Sequence, residues 1–117
     1  MDIQSFYSAI ESDGDVALGR FMGNKNLLTK FLGKFLEDNN YRLLDEALKV
    51  NDYETALAAS HTLKGVSGNL GLDPLYHYSS EIVNAIREKR YGDIAPAFDQ
   101  LKIHYEKVMS LLRELGN

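Results

Sequence analysis

Between residues 25 and 50 the apolar positions are Leu28, Phe31, Leu32, Phe35, Leu36, Leu43, Leu44, Ala47, Leu48 and Val50. They recur at intervals of three and four, which places side chains on one face of an α-helix. Asn39 and Asn40 interrupt the run, so this stretch predicts either one long helix with a bend or two helices in tandem. Nowhere do apolar and polar residues alternate cleanly between turn signals, so no sheet is expected. Gly14-Asp15 and Gly23-Asn24 mark two early breaks. Asn51 and Glu54 have the spacing of a capping box with Asn51 as the cap. Asp73-Pro74 reads as an N-cap followed by Pro at the first helical position, where its missing N–H is not needed. Gly92-Asp93 reads as a stop followed by the next cap, with Pro96 in the first turn, and Gly116 reads as the end of the last helix.

These signals predict a short helix near 2–12, a minor turn of helix near 15–22, and a long helical stretch near 24–50. Helices near 52–70, 73–90 and 93–115 follow. The later connections are only a few residues long, and short connections return each helix antiparallel to the one before it. The expected fold class is therefore all-α: an antiparallel up-down four-helix bundle with an additional short N-terminal helical segment covering one end or side. One domain over 1–117 is expected, with the core bundle at about 24–115. Gly33 is expected to let helices pack closely, and Phe21 and Met22 to pack into the core, the alternative being that they reach a partner-docking surface from the N-terminal segment.

Composition narrows the function classes. The 13 basic and 17 acidic side chains leave a net charge of −4, against the clustered positive charge that nonspecific nucleic-acid binding needs. The absence of Cys excludes disulfides, thiol chemistry, iron–sulfur clusters and Cys-ligated zinc, and fits a cytoplasmic location. No apolar run is long enough for a membrane span, and Met1-Asp2-Ile3-Gln4 does not begin a secretory signal. His61, His77 and His104 are far apart, and none follows a Glu at the Glu-x-x-His spacing of di-iron bundles. No Gly-x-x-x-x-Gly-Lys-Ser/Thr phosphate loop is present. No metal and no cofactor are expected. His77 and His104 are expected as surface or boundary residues, and the seven Tyr as core or boundary.

One stretch carries chemistry: Ser60-His61-Thr62-Leu63-Lys64-Gly65-Val66-Ser67-Gly68-Asn69-Leu70-Gly71. On a helix, at about 100° per residue, Ala56, Ala59, Leu63, Val66, Ser67 and Leu70 share one arc, the expected buried face. Glu54, Leu57, Ala58, His61, Lys64, Gly65 and Gly68 fall on the opposite arc. Two mid-helix Gly each cost about 1 kcal/mol relative to Ala, which is more readily accepted where the absent side chains matter. Gly65 and Gly68 are expected to strip the surface beside the imidazole down to backbone. Lys64 stands one turn from His61 and offers an ammonium to an anion carried there. The pattern is an outward nucleophile with cleared flanks and a counter-charge suited to phosphate.

The segment His-Thr-Leu-Lys-Gly-Val-Ser-Gly-Asn-Leu-Gly resembles the core motif of histidine-containing phosphotransfer (HPt) domains, the intermediate carriers of two-component phosphorelays. The Phe31–Leu36 helix, the Asn51-Asp52-Tyr53 turn and the Asp-Pro-Leu helix start are similar to that family too, so the resemblance spans roughly 15–115. It implies that His61 is phosphorylated through Nε2 and that Lys64 stabilises the phosphoryl group. It further implies that Gly65 and Gly68 admit a response-regulator receiver domain, which supplies Mg²⁺ and most catalytic groups. Leu57 and Ala58 would join the docking face. The protein would then be a carrier rather than a complete enzyme, with receiver domains and a hybrid sensor histidine kinase as partners. Many family members place Gln or Glu twenty-two residues after the His; here that position is Val83, with Ser80, Glu81 and Asn84 as polar neighbours.

Three other readings compete. A helical adaptor would bind receivers or kinases without accepting phosphate, but would not need His61 or Lys64. The phospho-accepting domain of a chemotaxis-type kinase normally begins a much longer chain; 117 residues favour a free-standing HPt protein or one excised from a hybrid kinase. A dimerising histidine-kinase domain would carry an acid directly after the His, where this chain has Thr62. A monomer is expected, since four helices already close a core.

Overall fold

A computed structural model describes residues 1–115. Its helices are α1 (Ile3–Ala9), α2 (Gly14–Arg20), α3 (Lys25–Phe35), α4 (Asn40–Lys49), α5 (Tyr53–Asn69), α6 (Asp73–Arg87) and α7 (Ile94–Leu115), with a 3₁₀ turn at Tyr91–Asp93 leading into the last. The fold is all-helical, with no strand among the described residues. Residues 25–50 form two helices in tandem rather than one bent helix. The last turn of α3 tightens around Leu36, and the Asp38 carboxylate accepts the Asn40 N–H at 2.9 Å, starting the chain afresh.

Side-chain caps set most of the starts. Asp2 accepts from Ser5 N–H, Asp13 from Asp15 and Val16, Asn24 from Leu27, and Asp52 from Thr55. Each satisfies backbone donors that the first helical turn leaves open. Three punctuation readings are corrected. The cap of α5 is Asp52, because Asn51 takes a left-handed conformation (φ 54°) that ends α4 instead. The stop after α6 is Lys89 (φ 57°), so Gly92 lies within the 3₁₀ turn. Asp73 is already helical and Leu72 holds the cap position; the Asp73 N–H is satisfied from α1's side of the molecule, by Ser12 Oγ at 3.3 Å. Gly116 lies outside the described residues. Gly33 is also corrected: it is exposed, with nothing within 4 Å of where a Cβ would stand.

All seven helices contribute to one apolar cluster. α4 packs on α5, α5 on α6, and α6 on α7. The buried positions of α5 are mostly small (Ala56, Ala59, Ser60, Ser67) around a fully buried Leu63, so neighbouring helices can approach it closely. α1 buries Ile3, Phe6 and Tyr7, and packs against α2 and α7. The Tyr7 hydroxyl donates to the Leu70 carbonyl at 2.6 Å, tying α1 to the end of α5. Gly71 closes that corner with φ 70°, and a Cβ there would stand 3.0 Å from Ala17 Cβ, so both conformation and space require glycine. Phe21 is buried as expected, but Met22 is left-handed and 88% exposed, so its place in the core is corrected.

Burial raises the Tyr7 phenol well above its ordinary value, and desolvation pushes Tyr41 up to about 12. The sign follows from linkage. Below pH 10 these phenols are neutral in both states; above it the unfolded chain ionises first, so stability is lost as pH rises. For Tyr7 the slope approaches about 1.4 kcal/mol per pH unit. Urea unfolding from about pH 9 to about pH 11.5 is expected to show a falling stability, less steep in Tyr7→Phe. Equal slopes would remove Tyr7 from the effect.

Candidate functional site

The structure shows the two arcs of α5, less sharply divided than the spacing predicts. Ala56, Ala59, Leu63, Ser67 and Leu70 are buried and Val66 is half-buried. Ser60, beside the candidate nucleophile, is also fully buried; its hydroxyl donates to the Ala56 carbonyl at 2.7 Å, which satisfies it within its own helix. His61, Ala58 and Gly65 are exposed, while Leu57, Lys64 and Gly68 are half-buried. The imidazole thus stands on the solvent side of the helix whose other side rests on the core.

His61 lines an open groove of about 370 Å³ with Glu54, Leu57, Ala58, Thr62 and Arg87. Leu57 reaches both ways, lining this groove and packing on the core from its edge. Arg87, in the last turn of α6, enters no salt bridge among the described residues, so its guanidinium is available to an anion in the groove. Lys64 does not line the groove; it lies one turn further along α5, with its ammonium over the Tyr76 ring. Cations from two helices, Arg87 in the groove and Lys64 one turn on, therefore stand near His61.

Nothing in the sequence motif marks Arg87. The position twenty-two residues after His61 is Val83, which is completely buried. Its three polar neighbours are engaged elsewhere. Ser80 Oγ donates to the Tyr76 carbonyl at 2.7 Å, and Glu81 pairs with His77 at 3.1 Å. Asn84 lines a different recess between α6 and α7. Arg87 lies one helical turn beyond Val83, on the side that meets the groove. The chain's larger recess, of about 490 Å³, holds Arg90 as its cation, but that guanidinium is already bound to Glu88 and Asp93. It contains no nucleophile.

The two glycines differ. A Cβ on Gly65 would meet nothing within 4 Å, so backbone is open to solvent beside His61. A Cβ on Gly68 would come within 3.0 Å of the Tyr76 ring, so this surface is not bare: α6 lays an aromatic side chain over it. The expectation that Gly68 opens the surface is corrected on that ground. The Gly68 carbonyl also accepts from Arg20 Nη1 at 2.6 Å, so α2 holds the same turn. A cation there meets the negative end of the α5 dipole.

The other histidines have partners of their own. His77 is exposed and paired with Glu81, and His104 is half-buried with its ring stacked on Tyr78 at 5.3 Å between centroids. Of the tyrosines, Tyr41 stacks on Tyr105 at 3.9 Å and on Phe98 at 5.5 Å, a boundary cluster joining α4 to α7. Among the described residues no group of three or more His, Asp or Glu gathers as a metal site, and no helix is long and apolar enough to cross a membrane.

Comparison with known proteins places this chain in a family. The family model described as Hpt domain matches residues 28–111, a span that contains α4, α5 and α6 whole. No curated protein and no solved structure matches the chain.

Proposed function

Because the chain belongs to the Hpt domain family, whose members carry phosphate on histidine in phosphorelays, we propose that it is a phosphocarrier that accepts and passes on a phosphoryl group at His61. The observation that carries this is the exposed imidazole, with Arg87 in its groove, Lys64 one turn along α5 and the open backbone of Gly65 beside it. In the forward step the neutral imidazole Nε2 attacks the phosphorus of a receiver's aspartyl phosphate. The N–P bond forms, the P–O bond to the carboxyl breaks, and the aspartate leaves as carboxylate. Passing the group on reverses these bonds at a second receiver. The two cations offset the phosphate's charge, close to −2 at neutral pH. The receiver would supply Mg²⁺ and dock on Leu57, Ala58 and Gly65, with Tyr76 in place of a bare Gly68.

In this reading residues 1–117 form one cytoplasmic, monomeric domain. Its core is an antiparallel up-down bundle of α3 with α4, α5, α6 and α7, at about 24–115. Support comes from the single apolar cluster and the short connections.

The deciding experiment is transfer from a panel of phosphorylated receiver domains. Acid-labile, alkali-stable label on this protein is the expected result. Receivers that bind in a pull-down, and label another HPt domain but not this one, would favour the adaptor reading.

Lys64→Ala and Arg87→Ala are each expected to load more slowly or lose phosphate sooner, by about three- to tenfold, the net worth of one solvent-exposed hydrogen-bonded contact. Unchanged transfer rate and phosphohistidine lifetime would remove that residue from the mechanism.

A further inference from the structure

Three features meet on one turn of α5: the Lys64 ammonium, the missing side chain of Gly68 and the Tyr76 ring. The Tyr76 Cδ2 lies 3.0 Å from the position a Gly68 Cβ would take, so the ring sits in the space that glycine leaves. Lys64 Nζ lies over the same ring, 5.9 Å from its centroid. That is within the reach of a cation–π attraction, near its outer limit. Lys64 itself is half-buried although it lies on the outward arc, which a long side chain lying along an aromatic surface explains.

We propose that Tyr76 is a positioning residue for Lys64, holding its ammonium on the His61 face where an arriving phosphoryl group needs it. This rests on the reading of His61 as the phosphorylated residue. A lysine carries a flexible four-carbon stem, and ordering it when phosphate arrives consumes part of the attraction. On a helix, long side chains lean toward the N-terminal end, and His61 lies one turn that way from Lys64. The ring seated on Gly68 lies one turn the other way along α5 and meets the ammonium with its face. It removes the volume into which the stem would otherwise swing.

The attraction at this distance is weak compared with a charge-assisted bond to phosphate. The ring therefore confines the ammonium without withholding it. This gives Gly68 a purpose inside the molecule: a side chain there presses on the Tyr76 ring. Arg20 on the Gly68 carbonyl and Ser80 Oγ on the Tyr76 carbonyl fix the two backbones between which the ring lies.

The test uses the whole chain and phosphoramidate as donor, so that no receiver surface enters the measurement. His61 Nε2 displaces ammonia from phosphorus in loading; in hydrolysis water displaces Nε2 and orthophosphate leaves. Wild type, Tyr76→Phe, Tyr76→Leu, Lys64→Ala and Tyr76→Leu/Lys64→Ala are compared for phosphohistidine lifetime. Tyr76→Leu is expected to shorten it about two- to fivefold, the effect of one exposed cation–π contact. Tyr76→Phe, which keeps the ring face, is expected to match wild type. In the Lys64→Ala background Tyr76→Leu is expected to add nothing.

The Lys64 side-chain resonances give a readout that needs no phosphate: the ring-current shift is expected in wild type and Tyr76→Phe and lost in Tyr76→Leu. A lifetime unchanged or lengthened in Tyr76→Leu would overturn the proposal, as would a loss that persists without Lys64. Failure of folded wild type to take up phosphate at His61 from any donor would instead overturn the phosphocarrier reading on which it stands.

Discussion

His61→Gln is expected to take up no acid-labile phosphate from any receiver that labels the wild-type protein, while its circular dichroism and thermal midpoint stay close to wild type. The two halves of that result have separate causes. Glutamine keeps polarity and approximate reach but has no ring nitrogen with a free lone pair, so the N–P bond cannot form. The side chain is exposed, and the helix beneath it is held by Ala59, Leu63 and Ser67 rather than by the imidazole. Exposed substitutions of this kind usually change stability by less than about 0.5 kcal/mol. No neighbour is placed to substitute. Ser60 is buried and bonded to its own helix, and the Thr62 hydroxyl donates to the Ala58 carbonyl at 3.0 Å. Label that survives at wild-type level would move the phosphorylation site elsewhere, with the exposed His77 the first residue to examine.

The largest stability effect is expected from Tyr7→Ala, a loss of about 3–5 kcal/mol in urea unfolding. Tyr7 is completely buried, packs edge-on against Phe6 at 5.1 Å, and satisfies the Leu70 carbonyl at the corner between α5 and α6. Truncation removes the ring, leaves a cavity, and strips a buried carbonyl of its donor. A typical domain of this size has only about 5–15 kcal/mol to lose. The transition is expected to remain cooperative, because α1 shares the one apolar cluster with the rest of the chain. A loss below about 1 kcal/mol would make α1 an appendage rather than part of the core.

The helical content was legible because periodicity and punctuation are local. Each cap acts within three residues, and a 3.6-residue period shows in a window of a dozen. Errors in the boundaries were local too. At Asn51 and Lys89 a non-glycine residue adopts the left-handed conformation, for which the sequence carries only a weak signal. His61, Lys64 and Gly65 were legible together because one helix face orders them by spacing alone.

Arg87 and Tyr76 were not legible in that way. Both come from α6, and which of its residues faces His61 depends on where the α5–α6 corner begins and how the two helices are rotated about their axes. An error of one residue turns a helix by about 100°, and Arg87 stands a full turn further along α6 than Val83, the position the motif spacing pointed to. The same limit hid Arg20, which reaches the Gly68 carbonyl across 48 positions of sequence.

The amino-acid sequence by itself determined the helices, the outward histidine and its lysine, since these follow from interactions among near neighbours in the chain. Only the tertiary structure decided that Tyr76 fills the space over Gly68 and that Arg87 completes the groove. Those contacts are set by how helices dock, and docking is governed by the packing of buried side chains from the whole molecule.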